Sequence, residues 1–245
     1  MDRKSEDHDD PRRRVLIQLL GAGMLGAAAP ASLAQVANIF GTKPARLPPG
    51  QSVYRISGSA TVNGMPASLN TKINPGDYVK TGKDSEIVFV INAQAIILRG
   101  NSNVVLEAEK KADSLIVSGL RMLTGAMLSV SRDQPMRLRT PTATIGIRGT
   151  GFYVEAESEQ TYFCTCYGVT EVASAADPEK REIITATMHD RPVYVGIDAK
   201  TGSSIQDAPF INHTNIELAL IETLVGRTLG YMFNKDTYTA PRRNY

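Results

Sequence analysis

With 245 residues, of which 42% are hydrophobic and 6% aromatic, the chain is long enough for a substantial core and too apolar to be disordered. Its formal net charge of +2 provides no basic surface of the kind that binds nucleic acid, so no nucleic-acid partner is expected. Recurring Gly, Thr, Val and Ser in short segments favour a β-rich fold with many turns.

The first 34 residues have the pattern of an export signal. Three arginines at residues 12–14 precede the apolar run 15–29, and small residues lead up to Ala34, after which we predict cleavage. The arginines fit either a twin-arginine signal or the general secretory route. Because the apolar run is shorter than the ~20 residues that cross a bilayer, we expect no stable transmembrane segment after cleavage.

Residues 35–50 contain three prolines and two glycines and are predicted to be a linker. Beyond it, short apolar segments separated by turn dipeptides predict an all-β unit, in which a sandwich and a short solenoid both fit the spacing. The predicted strands are 54–56, 60–62, 78–80, 86–91, 95–98, 103–107, 114–117 and 120–130, then a strand, a turn and another strand within 139–155, and a strand pair within 161–172. The charged run 107–113 is expected to be a solvated hairpin end.

Three segments carry a family resemblance: GDYVKTGKDSEIVFVI at 76–91, SGLRMLTGAMLSV at 118–130 and RTPTATIGIRGTGFYVE at 139–155. The last contains a signature that consists of Thr140, Pro141, Ala143, Arg148, Gly149, Thr150 and Phe152. Together these segments resemble the FecR domain, named after the ferric citrate regulator of bacterial cell-surface signalling. The resemblance covers about residues 54–155, which places a FecR-like domain at 51–155 and a C-terminal extension at 156–245.

The resemblance implies a non-catalytic sensory or regulatory module in the periplasm of a Gram-negative bacterium, bound to a periplasmic or envelope protein or ligand. Only residues 1–11 precede the arginines, too few for a domain that binds a sigma factor, so a direct anti-sigma role is not expected. An alternative is a metal- or redox-responsive sensor. A carbohydrate-active enzyme would need a convergent acid pair, whereas the nearby carboxylates cluster in a predicted loop, so we expect no catalysis.

Within the signature, structural roles are expected rather than ligand binding. Gly149 and Gly151 predict a bulge or a tight turn between two extended segments. Arg148 is expected to donate hydrogen bonds to strand-end carbonyls, and Thr140 and Thr150 are expected to be turn-forming hydroxyls.

The segment TYFCTCYG contains both cysteines and is predicted to be a strand. Alternation along a strand places Cys164 and Cys166 on one face and Phe163, Thr165 and Tyr167 on the other. The two thiols are therefore expected to point the same way.

His189 and His213 complete a set of two cysteines and two histidines in the mature chain. This is a ligand set for tetrahedral zinc or, with Met188, for copper. A disulfide is a second interpretation, although extended residues two apart have Cα atoms ~6.5–7 Å from each other, at the long limit for such a bridge. A third is a pair of plain buried thiols, with His213 part of a helix start. All three stay open.

One helix is predicted at about 214–226. Thr214 and Glu217 form a capping-box pattern at its start, and Gly226 can end it in the left-handed conformation. Its apolar stripe, which should pack on the β domain, consists of Ile216, Leu220 and Leu224 with Ile221 and Val225 beside them.

Overall fold

The computed structural model describes residues 47–48, 50–112, 114–131, 135–196 and 204–227. The predicted leader at 1–34, most of the predicted linker and residues 228–245 lie outside the described residues. In the described ranges, no helix combines the length and the apolar character needed to cross a membrane.

The described residues form fourteen strands and one helix. The strands are β1 (Val53–Ser57), β2 (Ala60–Val62), β3 (Met65–Pro66), β4 (Tyr78–Thr81), β5 (Glu86–Ile91), β6 (Gln94–Leu98), β7 (Asn103–Lys111), β8 (Ser114–Ser131), β9 (Met136–Arg139), β10 (Ala143–Ala156), β11 (Gln160–Ser174), β12 (Arg181–Ala186), β13 (Val193–Gly196) and β14 (Ile205–Asp207), and the helix is α1 (Asn215–Leu224). This confirms the all-β prediction with one helix in the C-terminal extension.

All fourteen strands belong to one sheet, whose longest path runs β14-β13-β11-β10-β9-β8-β7-β4-β2-β3. Among the described strands every pairing is antiparallel except that of β8 with β9. Apolar side chains from both halves of the long strands β8 and β10 belong to a single core cluster. Because a solenoid stacks its coils with parallel pairing, this almost entirely antiparallel sheet with one core cluster does not fit the solenoid of the two expected architectures.

The long strands differ from the prediction. The predicted strands 114–117 and 120–130 are one strand, β8, because it pairs with β7 across Gly119 and a register shift between Glu107 and Ala108 absorbs the irregularity. The predicted pair within 161–172 is likewise one strand, β11. The exposed side chains of residues 109–111 confirm a solvated hairpin end between β7 and β8.

From Ala143 onwards the signature segment is one continuous strand, β10, and of the bulge or tight turn expected at Gly149 and Gly151 the structure contains the bulge. The β10–β11 register shifts between Arg148 and Gly151, and Gly149 has φ +61°, a left-handed conformation that glycine adopts without strain. A Cβ on Gly151 would lie 2.6 Å from Tyr167 Cε1 and 3.0 Å from Leu218 Cδ1, so the missing side chain lets α1 approach the sheet.

The two faces of β10 have different surroundings. Phe152 and Val154 belong to the main core cluster, whereas the intervening Tyr153 is fully buried outside it. Alternation along the strand therefore gives the sheet a core face and a second buried face. The helix α1 packs against β6 and β8, and Leu218 approaches Gly151 on this second face, hereafter the helix face.

The helix begins and ends as predicted. Thr214 is its N-cap, and the capping box with Glu217 is complete. Gly226 has φ +76°, and the N–H groups of Gly226 and Arg227 donate to the carbonyls of Thr223 and Glu222, a Schellman ending. The buried stripe differs: Leu218, Ile221 and Leu224 are fully buried and Ile216 is half-buried.

Candidate metal centre

Four side chains with metal-binding atoms converge on the helix face: Cys164, Cys166, His189 and His213. One donor atom from each lies within 4.8 Å of every other, and all four residues are buried. The cysteines lie on β11, His189 lies in the turn between β12 and β13, and His213 immediately precedes the N-cap of α1. Three separate segments of the chain therefore meet at this point, hereafter the donor cluster.

The distances within the donor cluster are short. Cys164 Sγ lies 3.5 Å from His189 Nδ1, and Cys166 Sγ lies 3.5 Å from His213 Nε2. The two imidazole nitrogens lie 3.2 Å from each other. The four atoms thus surround a space of the size that one coordinated ion occupies.

Each histidine uses its other ring nitrogen for a hydrogen bond that fixes the tautomer. His213 Nδ1 lies 2.7 Å from the Ile211 carbonyl oxygen, which can only accept, so Nδ1 carries the hydrogen. His189 Nε2 donates to Asn215 Oδ1 at 2.8 Å. In the neutral rings, the nitrogens that face the cysteines therefore carry lone pairs, the arrangement that partners of metal-bound histidines impose.

The backbone around the donor cluster is unusual at two residues. His189 has φ +54° and Asn212 has φ +63°, both in the left-handed region. The His189 N–H donates to the Cys166 carbonyl at 3.0 Å, which anchors the turn to the sheet. At His189 this hydrogen bond helps to hold an uncommon backbone conformation in place.

Aromatic rings enclose the donor cluster. The Phe210 ring lies 4.2 Å from the His189 ring and 4.6 Å from the His213 ring, measured between centroids. Tyr153 stacks on His213 at 4.4 Å. These rings exclude water, which strengthens every electrostatic interaction inside.

Burial alone would raise the pKa of both thiols. At Cys164, hydrogen bonds with Cys166, His189 and His213 outweigh burial and lower the pKa of the thiol well below its ordinary value. At Cys166, burial is joined by the hydrogen bond with Cys164 and by its negative charge, so the pKa lies well above the ordinary value. A second thiolate here needs added positive charge, which a divalent cation supplies.

A buried polar network adjoins the donor cluster. Glu155 accepts hydrogen bonds from the Tyr153 hydroxyl at 2.8 Å and from the Asn212 amide. Arg99 donates to the Asn212 carbonyl and to Glu217, each at 3.0 Å. Burial alone would lower the pKa of Arg99, but the charge of Glu217 raises it above its ordinary value, so the guanidinium stays charged. This network attaches the segment before α1 to β10 and to Arg99, which directly follows β6.

The structure brings the four predicted donors together and answers three related expectations. Both cysteines are free thiols, so the structure does not contain the disulfide. Met188 is 41% exposed, whereas the four donors are buried. Its exposure does not fit the predicted role as an additional copper ligand. The predicted face of Tyr167 was wrong, because its hydroxyl donates a hydrogen bond to Glu222 on α1. The register shift opposite Gly151 leaves Cys166 without a partner residue on β10, so the side chain of Tyr167 lies on the helix face.

The FecR-like signature residues do not form a site. Phe152 lies in the core against Phe163, and the Thr140 hydroxyl accepts from the Ala143 N–H at 3.0 Å, the predicted turn role. Two expectations were wrong. Thr150 Oγ1 is buried without a hydrogen-bond partner among the described residues. Arg148 extends from the middle of β10 into an open groove, exposed to solvent, and makes no hydrogen bond with a described strand-end carbonyl.

Pro141 and Gly149 also serve the backbone alone, the first as an exposed residue after β9 and the second in the bulge. The residues that the sequence did not reveal are the partners of the histidines, Asn215 and the Ile211 carbonyl, and the buried Glu155. Asn215 directly follows the predicted N-cap, but no spacing rule connects it with a residue 26 positions earlier.

A family model, described as FecR protein, matches residues 77–169. The resemblance to the FecR domain is thereby confirmed for this segment. The matched segment of the FecR domain includes Cys164 and Cys166, whereas His189 and His213 lie beyond it. The donor cluster therefore joins the matched segment to the C-terminal part of the chain.

Two solved structures, each of a "putative anti-sigma factor" from Parabacteroides distasonis, are similar to this FecR-domain chain at 17% identity. Their TM-scores are 0.41 and 0.42, and the alignments cover 54% and 58% of this chain. The chain spans 58% of the first of those structures and 70% of the second. No curated protein matches the sequence.

Proposed function

We propose that this protein is an exported, non-catalytic regulatory module of the bacterial envelope, which acts by binding a periplasmic or envelope partner. The observation that carries the proposal is the FecR match at residues 77–169, because this family belongs to regulatory signalling. Phe152 and Thr140 of the signature support a non-catalytic role, since the first packs in the core and the second forms a turn.

The periplasmic location rests on the leader at 1–34. Its test is fractionation of a Gram-negative host that expresses the full chain, with the N-terminus of the product determined. We expect a periplasmic product that begins at Gln35. A cytoplasmic product that retains residues 1–34 contradicts the location.

The regulatory role is tested by deletion of the gene in its own bacterium, followed by transcript profiling. We expect a defined set of transcripts to change and to be restored by the full chain supplied in trans. A matched chain with residues 12–14 replaced by glutamine should not restore them, because it is not exported. An unchanged transcript profile contradicts the regulatory role.

A second candidate function is a metal-responsive sensor, and a specific observation favours it. Four buried donors converge within 4.8 Å, and both histidines turn lone pairs towards the cysteines. Two thiolates and two imidazoles suit zinc or copper among the common metals. Binding would make the regulatory output of the FecR domain depend on metal supply.

The sensor is tested by elemental analysis of the purified full-length chain, with a thiol count before and after reduction. We expect one equivalent of zinc or copper in the wild type and none in the double variant Cys164→Ser and Cys166→Ser. The transcripts that respond to the protein should then lose their dependence on metal in that variant. A wild-type protein that neither carries nor takes up metal contradicts the sensor.

A further inference from the structure

The donor cluster joins three segments of the chain that hydrogen bonds already hold near one another. Its cysteines lie on the rigid β11, its first histidine lies in the turn 187–190, and its second ends the segment before α1. A bound ion would therefore connect the sheet to both outer segments at once.

The helix α1 depends on its contacts with the rest of the protein. It has ten residues, and isolated helices shorter than ~12–15 residues are marginal in water. Its N-terminal end is held by the capping box, by the Arg99–Glu217 ion pair at 3.0 Å and by the contact of Asn215 with His189. Two of its first three residues thus already contact the histidine turn or the sheet.

Three distances in the donor cluster are close to those of a tetrahedral site. For tetrahedral zinc, with bonds of about 2.3 Å to sulfur and about 2.0–2.1 Å to nitrogen, ligand atoms lie about 3.5–3.6 Å (S to N) and about 3.3–3.4 Å (N to N) apart. A square-planar ion with similar bonds would bring neighbouring atoms to about 3.1 Å and about 2.9 Å. The observed 3.5, 3.5 and 3.2 Å lie closer to the tetrahedral values, and the outer limit of 4.8 Å for the whole set leaves the donors room to contract around the ion.

The site also supplies a closed set of ligands. Four protein donors complete a tetrahedron and leave no position for water or substrate, which distinguishes structural zinc sites from catalytic ones. The hydrogen bonds from His189 to Asn215 and from His213 to Ile211 provide the outer partners that orient such ligands.

We infer that Zn²⁺ bound by Cys164, Cys166, His189 and His213 is a latch that holds α1 and the turn 187–190 on the sheet, so that loss of zinc loosens both segments. This inference rests on the second proposed function. The consequence of zinc loss is exposure of the helix face around Tyr153, where the FecR domain and the C-terminal part of the chain meet.

The experiment is hydrogen exchange on the purified full-length chain, with one equivalent of zinc and again with excess chelator. Without zinc, we expect amides in residues 215–224 and 187–190 to exchange at least about tenfold faster, because local opening of these segments no longer requires breaking bonds between zinc and its ligands. Amides of β5 in the main core should keep their rates and report that the protein stays folded.

The variant His213→Ala removes one ligand and should exchange in both segments at the same rate with and without zinc. If His213→Ala loses protection in β5 and is therefore unfolded, Cys164→Ser repeats the test by removing a ligand on β11. Thr165→Ser is the matched control between the two cysteines, since it keeps the hydroxyl that lies 2.7 Å from Thr170 Oγ1. The control should respond to zinc as the wild type does.

The outcomes separate the latch from metal binding. One equivalent of bound zinc with unchanged exchange in residues 215–224 overturns the latch and leaves the metal-binding function intact. A wild-type chain that binds no zinc overturns both. Zinc-dependent protection in the wild type and the control, absent from both ligand variants, supports the latch.

Discussion

The two faces of the β10–β11 hairpin differ in the interactions that their side chains make. On the core face, Phe152 packs on Phe163 with ring centroids 5.9 Å apart, and the contacts are apolar. On the helix face, Tyr153 stacks on His213, and Cys164 faces His189. The same two strands therefore have one face where side-chain packing provides the contacts and another where hydrogen bonds and charges provide them.

The contrast teaches that one period-two pattern can serve two purposes. The core face stabilises by removing apolar area from water, which tolerates changes that conserve volume. The helix face depends on each donor having its partner, because a buried polar group without one is costly. Substitutions on the two faces should consequently separate the stability of the sheet from the binding of metal.

The largest effect is expected on the core face. Phe152→Ala should lower the free energy of unfolding by about 3–5 kcal/mol, because it removes a fully buried ring. Urea unfolding in the presence of chelator measures it without a contribution from metal. Zinc affinity of the folded variant should stay near that of the wild type, and a parallel loss of affinity contradicts the separation of the faces.

The next effect concerns the metal itself. At free zinc of a hundred times the dissociation constant, zinc should raise the free energy of unfolding of the wild type by about 2.7 kcal/mol. In Cys166→Ser this increase should vanish, since the variant lacks one of four ligands. Urea unfolding at matched free zinc is the measurement, with Thr165→Ser as the control. A Cys166→Ser protein that keeps the increase shows that the ion binds elsewhere.

A smaller effect is expected from the outer partner of His189. Asn215→Ala should weaken zinc binding by about 10–100-fold, because the imidazole loses the acceptor that orients it. Competition with a chromogenic chelator gives the affinity. Asn215→Asp keeps an acceptor oxygen and should bind zinc within a few fold of the wild type. Equal affinity of the alanine variant and the wild type contradicts the orienting role.

The smallest effect is expected at the helix start. Thr214→Ala should lower the free energy of unfolding by about 1 kcal/mol, because the Glu217 N–H loses its 3.2 Å hydrogen bond to the threonine hydroxyl. Thr214→Ser keeps the hydroxyl and serves as the control. Both are compared by urea unfolding in chelator, and a difference near zero contradicts the importance of the cap.

Local patterns predicted much of the fold. The nearly continuous apolar run in residues 86–91 predicted β5 with its observed bounds, and the capping box located the start of α1, because both depend on neighbouring residues alone. The fusion of two predicted strands into β8 could not be predicted, since it depends on pairing with β6, β7, β9 and β10. Pairing partners, rather than local propensity, decided where the long strands end.

The donor cluster was predictable in its residue types and unpredictable in its geometry. Two cysteines two residues apart on a strand suggested a shared face, but the contacting histidines are 25 and 47 residues further along the chain. Their tautomers depend on Asn215 and on a backbone carbonyl, which leave no motif. The orientation of Tyr167 was missed because the register shift depends on how Gly151 pairs across the hairpin.

The central claim is that the donor cluster binds zinc through two cysteines and two histidines. X-ray absorption at the zinc edge, on the full-length chain loaded with one equivalent, tests it most directly. The account predicts two sulfur ligands at about 2.3 Å and two nitrogen ligands at about 2.0–2.1 Å. A first shell of oxygen and nitrogen alone, or no stoichiometric zinc, would contradict it.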